Sequence, residues 1–174
     1  MAQPQERPAA ALPFDPIQEA GRQWRRRRWA QSDEMVAATS IVRAYQIVLE
    51  EVERVLRPFG LTFARYEALV LLSFSRTGAL PLGKMGQRLQ VHPTSVTNVV
   101  DRLAAQGLVV RVAHPTDRRT VLAELTPAGR DVVGRATAAL TRTSFGLPSL
   151  EPDELASLTT VLRKVRRDAG DFDG

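Results

Sequence analysis

Cysteine is absent from the 174 residues. That excludes disulfides, thiolate nucleophiles, cysteine redox sensing and thiolate zinc sites together. Histidine occurs only at positions 92 and 114, too few for a multi-histidine metal site within one chain, so no cofactor or resident metal is expected. Lysine is nearly missing: of 24 basic residues, all but Lys84 and Lys164 are arginine. No apolar run approaches the ~18 residues that a membrane span needs. The apolar patch PAAALP near the N-terminus lacks a basic n-region and is too short for a signal peptide. The expectation is a cytoplasmic protein that does not engage a membrane.

Apolar residues make up 44% of the chain, enough for a core. Net charge is 24 − 19 = +5. Arginine suits phosphate and base-edge contacts. A G+C-rich genome gives the same bias, and the abundant alanine fits that too. Composition permits nucleic acid as a partner without requiring it.

The stretch GALPLGKMG (78–86) places Gly78, Gly83 and Lys84 at the spacing of a phosphate-binding loop. That chemistry needs Ser or Thr after the lysine to hold magnesium, and here the residue is Met85. Pro81 removes an N–H from the would-be cradle. The upstream YEALVLLSFSR reads as a helix where the loop requires a strand. The stretch is a turn followed by a short amphipathic helix. No nucleophile–base pair or metal cluster stands elsewhere, so an enzyme is not expected.

Residues 1–15, rich in Pro, Ala and Gln, read as disordered. A short helix spans 16–30, with Asp15 as N-cap and Pro16 in its first turn. The strongest helical pattern is 32–60, where Ile41, Tyr45, Val48, Val52 and Val55 recur at spacings of three and four. It carries more apolar surface than one small domain needs, which suits pairing between subunits. Thr62 caps a third helix through about Ser75, and 82–90 is a fourth. Residues 93–106 form a fifth, with Pro93 at its start and Gly107 as its stop. VVRVAHP and RTVLAEL alternate as paired strands around Pro115 to Arg118. Helices then run over 127–145, from Thr126-Pro127, and from Glu151-Pro152 to near the end.

Short helix, turn, longer helix, then a hairpin with an arginine-bearing tip is the order of a winged helix-turn-helix. The expected fold is mainly α with a small β-hairpin wing. The domains are N-terminal helices 16–60, a DNA-binding domain 61–126 and C-terminal dimerisation helices 127–174. In the recognition helix Val96, Val99, Val100 and Leu103 form a docking face. Thr94, Ser95, Thr97, Asn98 and Arg102 form a face for the groove. Lys84 is placed to touch a backbone phosphate. Each has a plainer role: Asn98 and Ser95 as helix surface, Asp101–Arg102 as a structural ion pair, Arg118 and Arg119 as a solvated tip, His92 as a cap. Segment 84–119 carries six basic residues against Asp101 and Asp117, a net of +4.

TSVTNVVDRL, then GLV, DRR and LTPAG, in that order and spacing, resemble the MarR family of bacterial transcriptional regulators. The similarity is clear over about 60–130, and the helix order extends it to 32–168. The resemblance implies a homodimer with interlocked terminal helices, binding a pseudo-palindromic operator in double-stranded DNA, usually as a repressor. It also implies that Asp117 braces Arg119 as that arginine enters the minor groove. The extra N-terminal helix resembles a branch that responds to urate or metabolic carboxylates. The implied effector is a small anionic or aromatic molecule. Trp24 would be its stacking wall, Arg22 or Arg43 its anion clamp and Glu67 its polar partner; Trp24 and Trp29 also fit as core or dimer anchors. The alternative is a constitutive architectural DNA-binding protein without an inducer.

Overall fold

The computed structural model describes residues 11–117 and 119–173. Helix α1 covers Pro16–Arg26, α2 Ser32–Leu56, α3 Phe63–Phe74, α4 Leu82–Leu89, α5 Pro93–Ala105, α6 Pro127–Arg142 and α7 Pro152–Asp168. Strands β1 (Ala79–Pro81), β2 (Val109–Ala113) and β3 (Val121–Leu125) form an antiparallel sheet in the order β1-β3-β2. The fold is mostly helical with a small wing, as the sequence implies. No described helix is long and apolar enough to cross a membrane. The chain divides into two compact units, Met1–Ile47 and Val48–Gly174, with α2 contributing to both.

Local chemistry accounts for the helix starts. The Asp15 carboxylate accepts the Ile17 N–H at 2.8 Å, and the Thr62 and Thr126 hydroxyls accept the N–H groups of Arg65 and Gly129. Each cap supplies a partner to a backbone donor that the helix itself leaves free. Of the tail expected over 1–15, residues 1–10 lie outside the described residues.

Three helix ends fall earlier than periodicity suggests. α1 stops at Arg26 and not 30, because Arg28 turns left-handed (φ 58°) and Trp29 folds back edge-on against Trp24, ring centres 4.8 Å apart. α2 gives way at Leu56 to a 3-10 turn over Arg57–Phe59 closed by left-handed Gly60. α6 ends at Arg142, short of 145, because Ser144 and Phe145 adopt positive φ. Strand β1 is an addition. Its three residues pair with β3, Ala79 opposite Glu124 and Pro81 opposite Leu122, at a sheet edge where proline's missing N–H is tolerated. Met85 is fully buried in the core, which fits the helical reading of GKMG.

The core of the second unit joins α3, α5, α6 and the sheet through Leu69, Leu72, Val100, Leu103, Val109 and Leu140. Each such side chain contributes about 1.5–3 kcal/mol by leaving water. Two sequence pieces meet here. The Thr126 N–H donates to the Leu108 carbonyl at 3.1 Å, and its hydroxyl donates to the Gly107 carbonyl at 2.8 Å. A Cβ on Gly129 would lie 2.1 Å from the Leu108 carbonyl oxygen. GLV and LTPAG are thus two halves of one contact, which fixes the start of α6 against the end of α5.

Candidate nucleic-acid interface

α4 and α5 pack as a helix-turn-helix. α4 ends at left-handed Gln90, where the Val91 N–H returns to the Gly86 carbonyl at 3.1 Å. α5 starts at His92, whose ring Nδ1 accepts the Thr94 N–H at 3.3 Å. It ends in a paired turn: Leu108 N–H to the Leu103 carbonyl at 3.0 Å and Gly107 N–H to the Ala104 carbonyl at 2.9 Å. Gly107 there has φ +70°, the left-handed conformation that glycine adopts most readily.

The register of α5 separates its two faces. Val96, Val100 and Leu103 are buried and Val99 packs against the core. Thr94, Ser95, Thr97, Asn98 and Arg102 are all exposed. Thr97 gives its hydroxyl proton to the Pro93 carbonyl at 3.2 Å, which leaves the oxygen able to accept. Lys84 is exposed on α4. Asp101 pairs with Arg111 of β2, not with its neighbour Arg102. Consecutive helical residues point in different directions, so Asp101 and Arg102 do not face each other. Arg102 instead lines a small polar cleft with Thr62, Arg65 and Asn98. Sequence reading missed Arg65, because nothing in the pattern links the start of α3 to α5.

The wing turn spans His114 to Thr120. The His114 Nδ1 accepts the Thr116 and Asp117 N–H groups at 3.3 and 3.2 Å. The Asp117 carboxylate accepts the Thr120 hydroxyl at 2.6 Å and the Arg119 N–H at 3.0 Å. These bonds, the Thr120 hydroxyl first, hold the Asp117 carboxyl below the usual carboxylate range. The acid therefore braces Arg119 through its main chain, and among the described residues no side-chain ion pair joins the two. The Arg119 side chain is exposed. Arg118 lies outside the described residues.

Of the four candidate ligand residues, Arg22, Trp24 and Arg43 belong to the first unit and Glu67 to the second. Arg22 is paired with Glu19 at 2.7 Å, and Trp24 donates its indole N–H to the Ala30 carbonyl at 2.8 Å. The Ala30 bond and the edge-on Trp29 contact hold Trp24 at the end of α1, while Arg22 pairs within α1 itself. Arg43 lines a cleft with Phe14, Ile17 and Val42 in the first unit. Glu67 lines a groove in the second unit, about 830 Å³ in volume, between α3 and α6. Phe63, Tyr66, Val70, Phe74 and Val133 are among its walls, and Arg130 is its cation. Burial pushes the Glu67 carboxyl above the usual range. The Tyr66 hydroxyl sits 3.0 Å from the Thr137 oxygen, whose own proton goes to the Val133 carbonyl at 2.7 Å, so tyrosine is the donor.

Comparison with known proteins agrees with this architecture. The MarR family pattern matches residues 61–121. A crystal structure of Sco5413, a MarR family transcriptional regulator from Streptomyces coelicolor, is 52% identical with a TM-score of 0.75. It covers 82% of this chain and 99% of that one. YkoM, an HTH-type transcriptional regulator of Bacillus subtilis, is 32% identical over 71% of this chain and 79% of its own length. YhbI of the same organism is 34% identical over 55% of this chain, and the match spans 60% of YhbI. These relatives are named as transcriptional regulators and not as enzymes. The chain belongs to the MarR family of winged helix-turn-helix transcriptional regulators.

Proposed function

We propose that two copies of this chain bind a pseudo-palindromic operator as a repressor and that a small anionic or aromatic ligand releases them. The observation that carries the DNA reading is the division of α5. Its apolar face is buried, and five polar side chains are exposed on the same domain as a wing whose Arg119 is held at the backbone and exposed at its tip. Asn98 suits adenine, the Thr and Ser hydroxyls suit bases or phosphates, and Arg102 and Lys84 suit phosphates. Arg119 would enter the minor groove, where negative potential is enhanced, and Arg118 is the other wing arginine expected to contact DNA.

Relatives support the same reading. A mutant form of MarR from E. coli, 25% identical, has been solved in complex with operator DNA. MdtR of Bacillus subtilis, 28% identical, is named a transcriptional repressor. Subunit pairing is supported by large apolar side chains that stand exposed among the described residues. They are Ile41, Val42, Tyr45 and Ile47 on α2, and Leu155, Leu158, Val161 and Val165 on α7.

The groove between α3 and α6 is the better effector site. It offers aromatic walls, one cation and one carboxyl at its edge, and CouR of Rhodococcus jostii, 25% identical, has been solved bound to p-coumaroyl-CoA. Arg22, Trp24 and Arg43 would then be structural, with Glu67 and Arg130 facing the ligand. The test is selection of a duplex from a random-sequence pool, followed by footprinting with and without a panel of aromatic acids. A sharp footprint relieved by one acid fits the sensor. A diffuse footprint indifferent to every acid fits an architectural protein instead.

A further inference from the structure

The turn of the helix-turn-helix is held from outside by the far end of the chain. Gln90 occupies a left-handed position (φ 55°, ψ 40°) where glycine would be unstrained. Its side chain gives a reason for glutamine there. The amide nitrogen donates to the Asp171 carbonyl at 2.7 Å and to the Asp171 carboxylate at 2.6 Å. The amide oxygen accepts from Arg166 Nη2 at 3.3 Å, and Arg166 Nε donates to the other Asp171 carboxylate oxygen at 2.6 Å. Three side chains close a ring across 76 and 81 residues of sequence.

The approach of the C-terminal end is itself encoded. Gly170 (φ 75°) reverses the chain after α7, with Asp171 N–H returning to the Arg166 carbonyl at 3.0 Å and Gly170 N–H to the Arg167 carbonyl at 2.9 Å. The guanidiniums of Arg163 and Arg166 stack on Phe172, 5.3 and 5.5 Å from the ring centre. These contacts keep Asp171 in place for the glutamine. Charged members make the hydrogen bonds stronger than neutral ones. α7 has no buried residue and carries some of those exposed apolar side chains.

We propose that Gln90, Arg166 and Asp171 form a latch that fixes the pitch of the recognition helix relative to α7. They are positioning residues for DNA reading and need not touch DNA. The inference rests on the DNA-binding reading and on α7 as a pairing helix. What the latch then sets is the spacing between the two half-sites that a dimer accepts.

Gln90→Gly separates this role from turn stability, because it removes the amide while relieving the left-handed strain. The probes are the duplex that the wild-type protein selects from a random pool and the same duplex with one base pair inserted at its centre. Gln90→Gly and Asp171→Ala are each expected to lower the preference for the selected spacing about fivefold, and the double variant is expected to do no more, since the residues act as a unit. The salt slope should stay unchanged. Retained spacing preference in all three variants, or losses that add, overturns the latch. Hydrogen exchange of the free protein supplies an arm without DNA: Asp171→Ala should speed exchange at Val91 and its neighbours, although position 171 is remote in sequence. Unchanged exchange there overturns the latch even if the wild-type protein selects no duplex, a result that by itself removes only the DNA reading.

Discussion

Asp117 holds Arg119 by its backbone: a carboxylate oxygen accepts the Arg119 N–H at 3.0 Å while the other takes the Thr120 hydroxyl at 2.6 Å. The guanidinium is left free of the acid, so its charge is not spent on an internal pair. Arg119→Ala should therefore weaken operator binding by about 1–3 kcal/mol and lower the salt slope by about 1. Melting should be unchanged, because the side chain is exposed and supports no core. Equal affinity at matched salt argues against Arg119 as a DNA contact.

The same carboxylate makes the wing pH-sensitive in a defined direction. Its folded-state value lies below the ordinary aspartate value, through the Thr120 hydroxyl and the Arg119 N–H. The stabilisation is complete above the unfolded value of about 3.9 and is lost as pH falls through the lower folded value. NMR shifts of the Arg119 and Thr120 amides should titrate in that acidic window. In Asp117→Asn the step should vanish.

Gly129→Ala should be among the most destabilising single changes in the chain. The new Cβ would meet the Leu108 carbonyl oxygen at 2.1 Å and a Leu125 methyl at 2.7 Å, and backbone cannot step aside as a side chain can. Overpacking of this kind costs about 1–3 kcal/mol or more. Chemical denaturation checks it against Gly134→Ala, whose Cβ meets nothing within 4 Å and which should cost nothing or stabilise.

Val161 stands 59% exposed in the middle of the apolar stripe on α7. If that stripe pairs subunits, Val161→Glu buries a charge without a partner and splits the dimer. Light scattering should then give the 19.2 kDa mass of one chain where the unaltered protein gives twice that. A variant that keeps the doubled mass removes α7 as the pairing surface.

The elements proposed to read DNA were legible because their signals are local. Pro93, the spacing of Val96, Val100 and Leu103, and Gly107 define α5 within fifteen residues, and Thr126-Pro127 marks α6 in the same way. The misses depended on contacts between distant residues or on strands too short to show a period. β1 has three residues, below the length at which alternation registers, and exists because β3 offers an edge. α1 ends where it does because Trp29 reaches back to Trp24. Asp101 takes Arg111 from β2 as its partner, which proximity to Arg102 in sequence hides.

Hydroxyl-radical footprinting of the purified protein on its own selected duplex tests the central claim most directly. Paired winged helices predict two protected major-groove segments related by a twofold axis, about one helical turn apart, each flanked by a protected minor groove that reappears as exposed in Arg119→Ala. Uniform weak protection without symmetry, or no protected site on any selected duplex, contradicts it.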